Sequence, residues 1–522
     1  MLLLVASFVF FALHAVHLTA DFPNHSPWMD WAKYTDEGWY GDAAIRHFQR
    51  GSWYVPGDFN PAAALPVWPI LELAVFYFTG VTLAAARGLT VALFGLILLA
   101  SYFLLRRWQT SPSSLAPAAA TLLLAVSPFC YAFTRMAVLE PLLILLTLLA
   151  LLVASMPLSS KSRFRRFLPA LALGVLLPLT ILTKTTAIFL FPAIAWLLWA
   201  TSGYRGRTFF RVALQAAGIA AFFWGSYFVL FVRPHFLADY RYLFSANAYT
   251  GITLATMGTV VQDTFWDGLW IGTVLYPLAL AASIVAVAVL RRKTSPLLVA
   301  LMLWSAGYAA FLAYHNNLQP RYYLVLAVPL TLLTTLSLSG IIARLPTRIP
   351  SLRPILKTAT ALALAVIVVP DALQTLSYVR HPEYTFTAAA DGVRKIIAAN
   401  PSQNPLVLSI SGSDLSLMTG LPSICDDFGT MELADRVAAY HPGWYAAWNQ
   451  VDDDKMDALT PMFRLQRVAA FPAFDDPERN LLILYRLDPA VSAATRRSKR
   501  KPIPRLLQTK IGQQPSELQL KH

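Results

Sequence analysis

Cysteine is all but missing from this chain. There are two, Cys130 and Cys425, far apart in sequence. That excludes a disulfide framework, and neither thiol has zinc or redox spacing, so both read as packed thiols. Charge is scarce as well. Asp, Glu, Lys and Arg make up 13% of the residues, against roughly 25% in soluble domains. No glycine-rich phosphate loop of the GxGxxG kind precedes the first helices, so nothing there reads as a nucleotide fold. No repeat of helix length recurs, which tells against the paired halves of many transporters.

What fills the chain instead is hydrocarbon. Hydrophobic residues are 57% of it, in long runs, and this composition belongs to a polytopic membrane protein. The formal charge of +14 would suit a nucleic-acid partner. The basic residues, however, lie in short clusters between apolar runs and in one tail, a pattern that sets membrane orientation. A nucleic-acid partner is therefore not expected.

A spanning helix needs about 20 apolar residues. Such runs lie near 2–20, 83–105, 115–134, 137–155, 167–183, 185–201, 209–230, 269–290, 297–314, 322–342 and 356–378, about eleven in all. Leu18-Thr19-Ala20 resembles a cleavage site, but no basic residues precede the first run, which reads as an uncleaved helix. The joins carrying Arg106 and Arg107, Lys161 to Arg166, Arg205 to Arg211, Arg291 to Lys293, and Arg344 to Lys357 are basic. The positive-inside rule puts them in the cytoplasm. Residues 21–62, 231–268 and the chain after 378 then face outward. This parity requires that 63–80, short and holding Pro66, Pro69 and Glu72, lie in the interface rather than span.

Three regions are expected: a membrane part over 1–379 with its first outward loop at 21–62, a small outward α/β domain over 380–490, and a basic, disordered tail over 491–522. In the α/β domain, 385–399 and 431–440 read as helices, and 406–410 and 481–487 as strands. Ser411-Gly412-Ser413-Asp414 reads as a turn opening a helix.

The polar stretch 35–60 holds Asp36, Glu37, Asp42 and Asp58, with Arg46 and Arg50 nearby. On charge alone it is a solvated loop. Other ionisable residues fall at the outward helix ends: Arg87, Arg135, Glu140, Lys184, Arg233, His235, His315 and Arg321. Each by itself reads equally well as a snorkelling side chain. Together they describe a cavity with an acidic pair and several cations, suited to an anionic ligand with a reacting hydroxyl beside it.

Asp36-Glu37-x-x-Tyr40, Ala44, Arg46, Gly51-x-Trp53-x-x-Pro56, Pro66-x-Trp68, Phe78-x-Gly80 and Ala86-Arg87 occur in that order. So do Arg135-x-x-x-x-Glu140-Pro141-Leu142, Leu182-Thr183-Lys184 and Pro320-Arg321-Tyr322. This series resembles the GT-C membrane glycosyltransferases, such as the lipid A aminoarabinose transferases and protein O-mannosyltransferases, over most of residues 1–345. The resemblance implies a GT-C-like helical membrane fold and transfer of a sugar from a polyprenyl-phosphate donor to an acceptor hydroxyl on lipid, glycan or protein. Inversion at the sugar carbon and a bacterial inner membrane, with the site outside the cytoplasm, are implied with it. It assigns Asp36, with Glu37 beside it, as the catalytic acid pair. Lys184, Arg321, Arg135 and Arg87 are then the cations for the donor phosphate, and Tyr40, Asp42, Glu140 and Tyr322 the remaining substrate contacts. The chemistry agrees, since a hydroxyl needs a carboxylate base and a leaving phosphate needs cations.

The chain departs from the family at Asn60-Pro61-Ala62-Ala63-Ala64-Leu65-Pro66, where many relatives carry a charged residue before Pro-Pro-Leu. The residues name no cofactor and leave metal dependence open; a divalent metal is compatible, with Asp58, His235 and His315 as candidate ligands, although lone outward histidines are more often plain polar residues. Two other readings remain: a transporter or flippase for an anionic lipid-linked substrate, and a membrane scaffold that displays the C-terminal domain.

Overall fold

Apolar runs with no other way to satisfy their backbone in lipid become helices. The computed structural model describes residues 1–21, 30, 33–109, 114–158, 163–246, 251–265, 272–290, 294–315, 318–344 and 352–490. The tail at 491–522, part of the segment 21–62 and several basic joins lie outside the described residues. α1 (Leu2–Leu13), α2 (Asp36–Arg50) and α3 (Val67–Thr79) precede the long α4 (Leu83–Trp108). Next come α5 (Ala116–Val126), α6 (Pro128–Phe133), α7 (Glu140–Ala154), α8 (Arg163–Thr183) and α9 (Phe191–Thr201). α10 (Gly206–Tyr227) runs through a π-helical stretch, Phe228–Phe236, into α11 (Leu237–Ala246). α12 (Leu254–Phe265), α13 (Gly272–Leu290), α14 (Pro296–Tyr314), α15 (Leu324–Arg344) and α16 (Leu352–Arg380) complete this part.

The chain is an integral membrane protein. Among the described residues, five helical stretches are long and apolar enough to cross a bilayer: Leu83–Trp108, Gly206–Ser245, Pro296–Tyr314, Pro320–Ala343 and Lys357–Ala398. The shorter apolar helices pack with them around one core that includes Phe94, Leu143, Leu197, Trp304 and Leu333. α3 has 13 residues, about 20 Å of helix, too short for a hydrocarbon core of about 30 Å.

Three expected helices differ. The run 115–134 breaks at Ser127, because Pro128 has no N–H to continue the ladder, and the Ser127 hydroxyl accepts the Cys130 N–H at 3.2 Å to open α6. The first helix ends at Leu13 rather than near 20. The span at 209–230 continues to Ser245, 40 residues in all, so Arg233, His235 and Arg241 stand on a helix instead of a loop.

After α16 come α17 (Thr385–Ala398), α18 (Gly412–Thr419), α19 (Leu433–Tyr440) and α20 (Asp453–Leu459). They surround a sheet of β1 (Val407–Leu408), β2 (Ser423–Ile424), β3 (Trp444–Trp448), β4 (Phe463–Pro472) and β5 (Leu481–Pro489), in the order β2-β1-β3-β5-β4. β1 is parallel to β2 and β3, while β5 runs antiparallel to β3 and β4. Alternate residues of β3 feed two cores. Trp444 and Ala446 join Phe386 and Val393 on one face; Tyr445 and Ala447 join Leu408 and Val437 on the other.

Gly307 of α14 lies so close to Phe189 that a Cβ there would run into the Phe189 carbonyl oxygen. Gly307→Ala is expected to destabilise the bundle by about 1–3 kcal/mol, read as a lower unfolding temperature of the purified protein. An unchanged temperature would mean that the two segments part at no expense.

Candidate active site

α2 opens on Asp36 and Glu37, where negative charge suits the positive end of the helix. The Thr35 hydroxyl donates to Asp36 Oδ1 at 2.9 Å, and Asp36 Oδ2 lies 2.5 Å from Arg321 Nη2. Arg321 stands in the short 3-10 turn Pro320–Tyr323 that leads into α15. Its Nη1 also pairs with the Asp30 carboxylate, and its backbone N–H donates to Asp30 Oδ2 at 2.8 Å. The guanidinium lies 4.6 Å from the centre of the Tyr322 ring, and Lys184 Nζ lies 4.0 Å from the same ring. Lys184, at the end of α8, pairs with Glu140 at the start of α7. Among the described residues Glu140 Oε2 has no hydrogen-bond partner. Tyr40, one turn beyond Asp36, is held far above its ordinary pKa by burial and then by the Asp36 charge.

The fold therefore brings Asp36, Tyr40, Glu140, Lys184, Arg321 and Tyr322 into one buried centre. The Asp36, Glu140 and Arg321 side chains are at most 5% exposed and Lys184 10%. Asp30 completes it. Sequence reasoning missed this residue because its only signal is a partner 291 positions away.

No family model matches the chain, and no curated protein matches it in sequence. Solved structures do match. ArnT from Cupriavidus metallidurans in the apo state superposes with a TM-score of 0.61 at 14% identity, over 93% of this chain and 97% of that one. This is an ArnT-like fold. The structure of ArnT bound to undecaprenyl phosphate agrees equally well, at 15% identity and the same coverage. The oligosaccharyltransferase AglB from Archaeoglobus fulgidus, in complex with an inhibitory peptide and a dolichol-phosphate, matches with a TM-score of 0.53 at 13% identity, over 85% of this chain and 69% of that one. The GT-C-like architecture expected from the motifs is the one observed, including the small sheet unit near the C-terminus.

Within the ArnT-like fold several candidate residues stand elsewhere. Glu37 faces away from the centre and meets Arg87 through two bonds of 2.8 and 2.6 Å, and it also accepts the Ala137 N–H at 2.9 Å. Arg87 and Arg135, expected to bind the donor phosphate, donate to backbone carbonyls of the turns that follow α1. Arg87 donates to Leu18 and Ala20, and Arg135 to His14, Val16 and His17. A guanidinium with five donors suits that task. Asp42 points to the C-terminal unit, accepting from Ser413 at 3.0 Å and pairing with Arg46 at 2.8 Å. Burial pushes its carboxyl up to about 6, against the pull of Arg46.

The metal candidates do not assemble. Asp58 is paired with Arg46 at 2.5 Å and Arg436 at 3.7 Å, His235 is exposed, and the His315 ring rests 5.5 Å from Tyr322. Among the described residues no group of three His, Cys, Asp or Glu side chains could hold a metal ion.

Glu37→Gln would leave the buried Arg87 charge uncompensated, so a loss of about 3–5 kcal/mol is expected in thermal unfolding. Glu37→Gln with Arg87→Met should recover part of it, since methionine removes the buried charge together with the bonds to the Leu18 and Ala20 carbonyls. A single variant as stable as the parent would show the pair to be dispensable.

Proposed function

We propose that the chain is a membrane glycosyltransferase that moves a sugar from a polyprenyl-phosphate donor to an acceptor hydroxyl at the outward face. The observation that carries this reading is one carboxylate, Asp36, 2.5 Å from Arg321, with Arg321 and Lys184 both over the Tyr322 ring. Base and cations thus adjoin where a hydroxyl and a lipid phosphate would meet. ArnT and AglB, whose solved complexes hold undecaprenyl phosphate and dolichol-phosphate, support a lipid-linked donor.

The step is a single displacement. The acceptor oxygen bonds to the anomeric carbon, its proton passes to Asp36, and the bond from that carbon to the phosphate oxygen breaks, inverting the centre. Lys184 and Arg321 take the charge that develops on the departing phosphate. They do so by exchanging part of their contact with Glu140 and Asp30 for phosphate oxygens, to which Lys is a point charge and Arg a planar fork.

The test is sugar transfer by the purified protein in lipid, with a panel of polyprenyl-phosphate sugars and a membrane extract as acceptor, with and without chelator. Asp36→Asn is expected to lose about 10²-fold or more in turnover while still binding polyprenyl phosphate. Lys184→Ala and Arg321→Ala are expected to weaken that binding by about tenfold or more. Unchanged turnover in Asp36→Asn would remove Asp36 as the base. A folded protein that binds polyprenyl phosphate but turns over no donor would instead be a transporter.

A further inference from the structure

In a parallel α/β sheet, ligands enter the crevice outside the carboxyl ends of the strands. Here α2 packs against the segment that follows β1, and Asp58, beyond α2, against the end of β2. The Trp39 indole N–H donates to the Ile410 carbonyl at 3.1 Å, and Arg50 Nη2 to the Ser423 carbonyl at 2.8 Å. Ser413 Oγ donates to Asp42 Oδ1 at 3.0 Å, and the Cys425 N–H to Asp58 Oδ1 at 2.9 Å. Gly38 lies against the Ser413–Asp414 backbone, where any Cβ would collide.

One of these contacts bears on the chemistry. The first amides of a helix need an acceptor, ordinarily the side chain of the N-cap residue. Thr35, the N-cap of α2, makes no such bond; its hydroxyl holds the Asp36 carboxylate instead. The Gly38 N–H, third in the helix, donates to Asp414 Oδ1, a residue 376 positions away. Asp414 is 1% exposed. Burial and then the Glu37 charge push its carboxyl well above the ordinary range.

We propose that Asp414 is a positioning residue: it caps α2 from the C-terminal unit, releases the Thr35 hydroxyl for Asp36, and so sets where the Asp36 carboxylate stands. This rests on Asp36 being the base. It gives the C-terminal unit a part in catalysis that requires no acceptor contact.

The experiment uses the full-length protein in lipid, with Asp414→Ala and Asp414→Asn. Asparagine keeps an oxygen for the Gly38 N–H; alanine does not. Asp414→Ala is expected to lower kcat about tenfold or more, with KM for the donor and Kd for polyprenyl phosphate within about twofold, and to speed hydrogen–deuterium exchange at the first turn of α2. Asp414→Asn should restore kcat and exchange together. Should the alanine variant not fold, Asp414→Ser, a shorter acceptor, should fall below asparagine in both readouts.

Unchanged exchange in Asp414→Ala overturns the cap, whatever the turnover. Faster exchange with normal kcat, or equal kcat losses in the asparagine and alanine variants, overturns the positioning role. An Asp36→Asn protein that still transfers sugar overturns the base assignment instead, and the exchange rate then decides the cap by itself.

Discussion

The guanidinium of Arg321 joins two carboxylates, Asp30 and Asp36, at the N-terminal end of α15. None of the three side chains is more than 5% exposed. Ions removed from water in this way are tolerated only when they are paired with good geometry. The segment before α2, the first turn of α2 and the mouth of α15 are therefore fastened to one another. Glu140 and Lys184 form a second pair, joined to the first through the Tyr322 ring. Three carboxylates and two cations thus share one buried site.

α2 is the element through which this centre communicates. At about 100° per residue, Asp36 and Tyr40 share one side, and Glu37 and Gly41 the next. Gly38 and Asp42 lie further round. Each side has its own neighbour: the ion-paired centre, then Arg87 and Glu72, then the first turn of α18. The segment leading into α2 is held as well. Tyr34 packs on Phe474 and Trp448, and Arg479 lies 4.4 Å from its ring. The membrane part and the sheet unit therefore meet at the helix that carries the acidic residues.

Most helices were legible because a spanning run must be apolar for about 20 residues, and a run that long is hard to mistake. Limits were less legible. The break at Pro128 leaves an apolar stretch unbroken in hydropathy, and the extension of α10 to Ser245 carries polar residues that read as loop. β3, Trp-Tyr-Ala-Ala-Trp, was missed because it is covered on both faces and has no alternation of polar and apolar residues. β4 and the two-residue β2 were missed as well.

By itself the sequence determined the membrane character, the order of the helices, a sheet unit near the C-terminus, and the residue types from which a base and phosphate cations could be drawn. Only the tertiary structure decided which of those charges meet. Glu37 and Asp36 are adjacent in sequence, yet about 100° of helix sends one to Arg87 and the other to Arg321. Arg135 and Lys184 look alike in sequence, but one lies beside the carbonyls of the turn after α1 and the other beside Glu140 and Tyr322. Charge type is local to a residue, whereas its partner depends on the packing of segments tens to hundreds of positions apart, and in a buried site the partner decides what the charge can do.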